Sequence, residues 1–187
     1  MHRTLTDTLL DVVQNSIEAE SGLIILDVKQ TDNLLDVFIS DNGRGMNEEQ
    51  LKSALDPFYT DGEKHSGRTV GLGLPFLKQT CEATGGRFEI GSKEGEGTSV
   101  FIELNMRHID LPPLGDLAEL FTDAMLFEGG FELVVNRYYG GVKYTVIRSE
   151  LAEVLGDMND VASIVLMQRY FDSQEKELLA EALGRHE

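Results

Sequence analysis

Apolar positions at helical spacing open the chain and predict an amphipathic helix over residues 4–20. The apolar stripe of this helix is formed by Leu5, Leu9, Val12, Val13 and Ile17. The opposite side is polar and is formed by Asp7, Asp11, Asn15 and Glu18. One face of the helix is therefore expected to pack on a core while the other carries any chemistry.

After this helix the pattern alternates between β-branched runs, turns and a second helix. Two strands with Thr31–Asn33 between them predict a hairpin, and Asn47 begins a short helix. Residues 57–70 have no periodicity and predict a long polar loop. The remaining predicted elements of this half are strands Leu23–Lys29 and Leu34–Ser40, a helix from Leu72 to Gly85–Gly86, and a hairpin of Arg87–Gly91 with Thr98–Asn105.

Leu111-Pro112-Pro113 must stop both helix and strand, which predicts a boundary between residues 1–110 and residues 111–187. The second block has its own α/β pattern. It contains predicted helices 114–126, 149–155, 160–171 and 174–183, and a hairpin of Phe131–Tyr139 with Val142–Arg148 across two glycines. At this size the block would be marginal as an independent domain.

Composition and charge narrow the function classes. The 16 basic and 33 acidic side chains give a formal charge of −17, which disfavours nucleic acid and anionic membranes as partners. The single cysteine, Cys81, cannot form an internal disulfide, and no apolar run is long enough to span a bilayer. These features predict a soluble cytoplasmic protein.

The first candidate for chemistry is the pair Asp11 and Asn15, which lie one helical turn apart on the polar face. A carboxylate and an amide oxygen so placed could hold Mg²⁺ on a polyphosphate and orient a nucleophile. The alternative is an ordinary solvated helix face.

The second candidate is the segment Asp41–Met46, which follows a predicted strand. A carboxylate there could accept a hydrogen bond from the exocyclic amine of adenine, whereas guanine would present a carbonyl oxygen and be refused. Gly43 and Gly45 would let the backbone approach the flat base closely. The alternative is a simple turn.

Two further segments suit phosphate groups. Gly71–Pro75 opens a predicted helix, whose free N–H groups attract anions, and Lys64 or Arg68 in the preceding loop could reach a phosphate. Asp56–Thr60 begins that loop, and Gly95–Thr98 lies in the predicted hairpin. The alternatives are a surface loop with solvated charges and a plain hairpin turn.

In order and spacing these segments resemble the GHKL superfamily, the ATP-binding fold of DNA gyrase, heat-shock chaperones, sensor histidine kinases and mismatch-repair ATPases. Residues 13–19 look like its N box, Asp41–Met46 its first glycine box, Asp56–Thr60 its F box, Gly71–Pro75 its second glycine box and Gly95–Thr98 its third. The likeness covers about residues 4–105. DPFYT and GLGLP look most like the catalytic ATP-binding domain of nitrogen-regulation-type sensor histidine kinases.

The resemblance implies an α+β fold, the Bergerat type of two-layer α/β sandwich, with helices on one face of a mixed sheet and a C-terminal α/β extension. It implies Mg-ATP bound under a lid, with Asn15 on magnesium and Asp41 on adenine. The implied nucleotide-binding set is Asn15, Asp41, Gly43, Gly45, Met46, Phe58, Thr60, Lys64, Arg68, Gly71, Leu72, Gly73, Leu74 and Thr98. The family fold normally begins with a strand and helix before the N box, so Phe131–Arg148 is the candidate that completes the sheet here.

Position 11 separates the hypotheses about activity. Sensor kinases usually have Asn there and the ATPases Glu, whereas this chain has Asp11 as candidate catalytic base. No histidine lies in a phosphoacceptor motif and nothing precedes the N-box helix, so self-phosphorylation is not expected. The sequence favours a stand-alone kinase that phosphorylates a histidine, serine or threonine of another protein. The alternatives are an ATP-hydrolysing switch and a non-catalytic ATP-sensing module that holds a protein partner.

Overall fold

The computed structural model describes residues 4–57 and 72–184. Their element order is helix, two strands, two helices, two strands, helix, two strands and two helices. The bounds are α1 Leu5–Glu18, β1 Leu23–Gln30, β2 Leu34–Asp41, α2 Glu48–Ala54, α3 Gly73–Thr84, β3 Arg87–Lys93, β4 Gly97–Asn105, α4 Leu117–Leu126, β5 Glu132–Tyr139, β6 Val142–Ile147, α5 Arg148–Leu155 and α6 Val161–Gly184.

Helix α1 begins at Leu5, directly after a residue that caps its N-terminus. Thr4 is the N-cap, and its hydroxyl accepts from the N–H of Asp7 at 3.1 Å while the Asp7 carboxylate accepts from the N–H of Thr4 at 2.9 Å. This reciprocal capping box satisfies two N–H groups that would otherwise lack partners. The apolar stripe predicted from spacing faces inward, with Leu9 and Val13 fully buried. The polar stripe is thereby turned outward, beside α3.

Six strands form one mixed sheet in the order β3-β4-β2-β1-β5-β6. All neighbouring pairs are antiparallel except β1 and β5, which run parallel with Ile24 opposite Leu133 and Leu26 opposite Val135. Strand β5 therefore continues the sheet past residue 110. The α+β fold predicted from the sequence is confirmed, with a mixed sheet that carries helices.

The main apolar core lies between the sheet and its helices. The inward positions of five strands, including Ile24, Leu35, Ile102 and Leu133, pack against α1, α3, α4 and α6 in a single cluster. Residues from both sides of position 110 belong to this cluster. The first half and the extension consequently share the apolar contacts that stabilise each of them.

A buried polar network fastens α6 to the sheet. The Arg137 side chain is 1% exposed and donates from Nε to the Glu175 carboxylate at 3.1 Å. Arg137 also donates to Gln30 Oε1 of β1 at 2.7 Å, and Tyr144 of β6 donates to Glu175 at 2.6 Å. Burial and the Glu175 charge raise the pKa of Tyr144, so its hydroxyl remains a donor. The network joins β1, β5, β6 and α6.

Three helix predictions for the second block are wrong in their bounds. The helices predicted at 160–171 and 174–183 are one continuous helix, α6, because Asp172 and Ser173 lower helix propensity without breaking the backbone pattern, and Gln168 donates to the Asp172 carboxylate at 3.4 Å. The helix predicted from residue 114 begins at Leu117, because Gly115 has φ +89° and Asp116 caps the first turn. Local geometry overrides periodicity at both positions.

Candidate functional site

Predicted site residues from distant parts of the chain meet where β2 ends and β4 begins. Asp41 is the last residue of β2 and lies opposite Thr98 of β4 in the antiparallel ladder. Helix α1 lies next to this point, and its Ser16 hydroxyl donates to Asp41 Oδ2 at 2.8 Å. The N box, first glycine box and third glycine box named above are thus adjacent.

The Asp41 carboxylate is held by three donors. Besides Ser16, the backbone N–H of Gly43 donates to Oδ1 at 2.9 Å and that of Thr98 donates to the same oxygen at 3.3 Å. An ionised carboxylate has about four acceptor positions, so three protein donors fix its orientation and leave capacity for a further donor. Asp41 is partly exposed, which leaves that capacity reachable by a ligand.

The loop after Asp41 is held close to its neighbours by backbone contacts. Arg44 donates its N–H to the Ala19 carbonyl at 2.9 Å and accepts at its own carbonyl from Gly95 at 2.7 Å. Gly45 has φ +62°, and a Cβ there would lie 1.9 Å from the carbonyl oxygen of Lys93. Only glycine fits at this position, which explains one of the two glycines in the predicted box.

Ser92 of β3 joins the loop of residues 42–46, called the glycine loop from here on, to the third glycine box. Its hydroxyl accepts from the N–H of Met46 at 2.8 Å, lies 2.8 Å from the Thr98 hydroxyl and donates to the Gly97 carbonyl at 3.1 Å. No sequence pattern singles out Ser92, because a serine inside a predicted hairpin carries no spacing signal. The structure adds it to the residues that shape this site.

Helices α1 and α3 approach closely at Gly73. A Cβ at Gly73 would lie 3.0 Å from the Cβ of Asp11 and 3.3 Å from the carbonyl oxygen of Thr8. The first turn of α3 has no side-chain cap: Leu72 precedes it, and Leu74 is buried on the core side. Uncapped N–H groups at a helix N-terminus attract anions. Gly73 therefore brings a potential phosphate position next to Asp11.

Asp11 and Asn15 lie one turn apart on α1, and both are half-buried. Asp11 borders the start of α3, and Asn15 directly precedes Ser16, the donor to Asp41. The predicted metal ligand thus lies between the carboxylate that faces α3 and the residue that anchors Asp41. An amide oxygen and a carboxylate at this spacing suit a hard cation such as Mg²⁺.

Five predicted site residues lie outside the described part of the chain: Phe58, Thr60, Lys64, Arg68 and Gly71.

Ser16, like Ser92, has a role in the site that the sequence did not reveal. The sequence places Ser16 within the N box and gives it no function of its own. A sequence signal existed, because Ser16 occupies the apolar side of α1 next to Val12 and Val13, and it is 4% exposed. A buried hydroxyl in such a stripe requires a hydrogen-bond partner.

A family model described as histidine kinase-, DNA gyrase B-, and HSP90-like ATPase matches residues 2–108. Since the match covers more than half of the chain, this protein belongs to that family of ATP-binding domains. The resemblance to the GHKL superfamily inferred from the boxes is confirmed.

Similar curated proteins are bacterial sensor kinases. A protein of Rickettsia conorii that is named as an NtrY-like sensor histidine kinase is 31% identical over 55% of this chain. Sporulation kinase C of Bacillus subtilis is 32% identical over 52% of this chain. The matched segment is only 17% and 22% of those relatives' lengths. The likeness therefore concerns only a small part of each relative.

A solved structure shows that the fold extends beyond the family match. The N-terminal domain of a DNA repair protein superposes with a TM-score of 0.53, covering 83% of this chain and 57% of that one at 14% identity. At this identity the likeness concerns the fold alone. Among residues 4–57 and 72–184, no helix has the length and apolar character needed to cross a membrane.

Proposed function

We propose that the site between α1, α3 and the glycine loop binds Mg-ATP and transfers its terminal phosphoryl group to a histidine, serine or threonine of another protein. The observation that carries the proposal is the anchored Asp41 carboxylate, which keeps acceptor capacity for the adenine amine. Asn15 would hold Mg²⁺ on the phosphates, and the uncapped start of α3 would receive one of them.

The positions of Asp41, the start of α3 and Asp11 give each of them a different role in the proposed reaction. With adenine at Asp41 and a phosphate at the N-terminus of α3, the terminal phosphate is expected near Asp11, whose Cβ lies beside Gly73. The acceptor atom attacks the terminal phosphorus, the bond to the bridging oxygen breaks, and ADP leaves. For a hydroxyl acceptor the proton passes to the Asp11 carboxylate, which acts as general base. Magnesium, when bound, would neutralise charge on the phosphates.

A trans acceptor is supported by the position of the one described histidine. His108 follows the far end of β4, whose other end lies beside Asp41. The intervening strand is about 26 Å long at about 3.3 Å per residue. His108 also accepts from the N–H of Asp110 at 3.2 Å within its own turn. It is therefore too distant to receive the phosphoryl group from the same molecule.

A second candidate function, an ATP-hydrolysing switch, is favoured by the carboxylate at position 11. If Asp11 activates water instead of a protein hydroxyl, the same geometry yields free phosphate, and the protein would act by changing what it binds. The two functions share the nucleotide site and differ in the acceptor.

Incubation with ATP labelled in the terminal phosphate separates these functions. Label that moves to a protein of a cell extract, and is lost with Asp41→Asn, supports the kinase; release of labelled free phosphate from the purified protein supports the switch. Asp36→Asn is a matched control because Asp36 lies on the same strand about 17 Å away, at five residues of about 3.3 Å each. If the protein binds ATP but yields neither labelled protein nor free phosphate, both reactions are refuted. The protein would then be a module that only binds ATP.

A further inference from the structure

An apolar surface lies on the N-terminal half of α6, on the side that faces away from the sheet. The opposite side of the helix packs into the core through Met167 and Phe171. The outward residues are nevertheless apolar, with Val161 75% and Leu166 54% exposed. We call this surface the α5–α6 patch, defined as Val154, Val161, Val165, Leu166 and Tyr170.

Helix α5 forms one side of this patch. The Ser163 hydroxyl of α6 donates to the Leu155 carbonyl near the end of α5 at 3.5 Å. At the other end of α5, Glu150 lies close enough to Tyr170 that its charge, after burial, helps to raise the pKa of the tyrosine hydroxyl. The last residue of α5 therefore contacts the first turn of α6, while the first turn of α5 lies towards Tyr170. Val154, one turn after Glu150 and 83% exposed, is the member of the patch that lies on α5.

The patch is not the usual outer face of a surface helix. Such a face normally carries charged side chains. The C-terminal half of α6 mixes both kinds of residue, because Lys176, Glu177 and Glu181 are exposed as well as Leu183. In the N-terminal half the exposed side chains are mainly apolar, and Arg169 is the exposed charged residue there. A contiguous exposed apolar surface with a polar rim is typical of an interaction site.

Charge around the patch determines what kind of partner fits. Between Arg148 and Tyr170, a fully described stretch, the acidic residues are Glu150, Glu153, Asp157 and Asp160. Of the two basic residues, Arg148 is used internally, because its guanidinium donates to the carbonyls of Met125, Phe127 and Phe131. Arg169, the other, is exposed and lies one turn after Val165. Because four carboxylates outnumber this one exposed guanidinium, the rim is acidic on balance, on a chain of net charge −17.

This charge disfavours a second copy of the chain and an anionic membrane, since both would bring like charges together. It favours a cationic partner. Exposed apolar side chains on successive turns of α6 suit a partner helix that lays one apolar face along them. We propose that the α5–α6 patch docks an amphipathic helix whose apolar face is flanked by Lys and Arg side chains.

Fluorescence anisotropy with designed peptides tests this proposal on the whole chain. The probe is a labelled Leu/Lys peptide of about 18 residues, which makes about five helical turns with Leu on one face. A second peptide has the same composition in shuffled order, so that its charge is kept and its apolar face is lost. We expect the amphipathic peptide to bind about tenfold more tightly, a difference of about 1.4 kcal/mol.

The informative variant is Val154→Asp with Leu166→Asp, because it removes apolar surface and adds two negative charges. Apolar docking predicts that the amphipathic peptide binds about tenfold more weakly, whereas purely electrostatic association predicts tighter binding. Leu183→Asp is the matched control, since Leu183 is 65% exposed on the same helix outside the patch. It should leave peptide binding unchanged, and circular dichroism should show equal helix content in all three proteins.

Three results would overturn the proposal. The double variant could bind the peptide as tightly as the parent or more tightly, or the shuffled peptide could bind as well as the amphipathic one. The third is a parent protein that sediments as a dimer and becomes monomeric in the double variant, which would assign the patch to a second copy of the chain.

Discussion

Replacing Asp41 by asparagine tests the nucleotide site with the smallest change in shape. The amide oxygen can keep the two backbone N–H bonds that now reach Oδ1 from Gly43 and Thr98. The amide nitrogen then faces Ser16, whose hydroxyl can accept from it and donate instead to the Val12 carbonyl, 3.5 Å away. The fold should therefore survive, with a thermal unfolding temperature close to that of the parent.

The adenine contact should not survive. In Asp41→Asn the outward-facing group is an N–H donor, which opposes the amine of adenine, itself a donor. A hydrogen bond to a charged acceptor contributes about 1.5 to 3 kcal/mol. At about 1.4 kcal/mol per factor of ten, ATP affinity should fall about 10- to 150-fold. The same amide can donate to the carbonyl oxygen of guanine, so GTP affinity should rise while ATP affinity falls. The ratio of the two affinities should therefore change by more than the loss of ATP affinity.

Isothermal titration calorimetry with ATP and GTP, on the parent, Asp41→Asn and Asp36→Asn, measures these effects. Asp36→Asn should bind both nucleotides as the parent does. The reasoning is refuted if Asp41→Asn binds ATP with parental affinity, or if GTP binds the parent as tightly as ATP does. Loss of ATP binding together with a large fall in unfolding temperature would show that Asp41 is required for folding rather than for base recognition.

Three further substitutions test the base, the buried network and an isolated carboxylate. Asp11→Asn should keep ATP affinity and slow single-turnover chemistry about 100- to 10,000-fold, and an unchanged rate would remove Asp11 from the mechanism. Glu175→Gln leaves the buried Arg137 guanidinium without its counter-charge and should cost about 3 kcal/mol in urea unfolding, whereas the exposed Glu177→Gln should cost almost nothing. Burial first, then Glu103, raise the pKa of Asp36, whose Oδ1 has no hydrogen-bond partner among the described residues. Because its folded pKa is raised, ionisation destabilises the fold above that pKa, so Asp36→Asn should raise the unfolding temperature at pH 7 and lose this advantage as the pH falls below the ordinary carboxyl range.

The elements of the first half were predictable because each has a local signal. Helix α1 has a 3.6-residue apolar stripe and a threonine cap, and α3 ends at Gly85, whose φ of +66° suits glycine at a helix C-terminus. The continuity of α6 had no such signal. Asp172-Ser173 has the composition of a helix end. The helix continues through it because residues on both sides, such as Phe171 and Leu178, are buried by packing.

The candidate site was predictable only in part, because its boxes are local and its supports are not. Asp41 and its glycines stand together in the sequence, as do Asp11 and Asn15. The contacts of Ser16 with Asp41 and of Ser92 with Met46 join residues 25 and 46 positions apart, respectively. Such pairs depend on how strands and helices pack, which no short stretch of sequence specifies.

The parallel pairing of β1 with β5 has a consequence for how the chain is made. A nascent chain emerges from the ribosome in order, and β1 leaves it about 100 residues before the strand that pairs with it. Until then the apolar β1, with Ile24, Leu26 and Val28, is an open edge that can pair with other chains. A truncation at residue 110 makes this state permanent. We therefore expect such a fragment to aggregate rather than yield a smaller soluble ATP-binding domain.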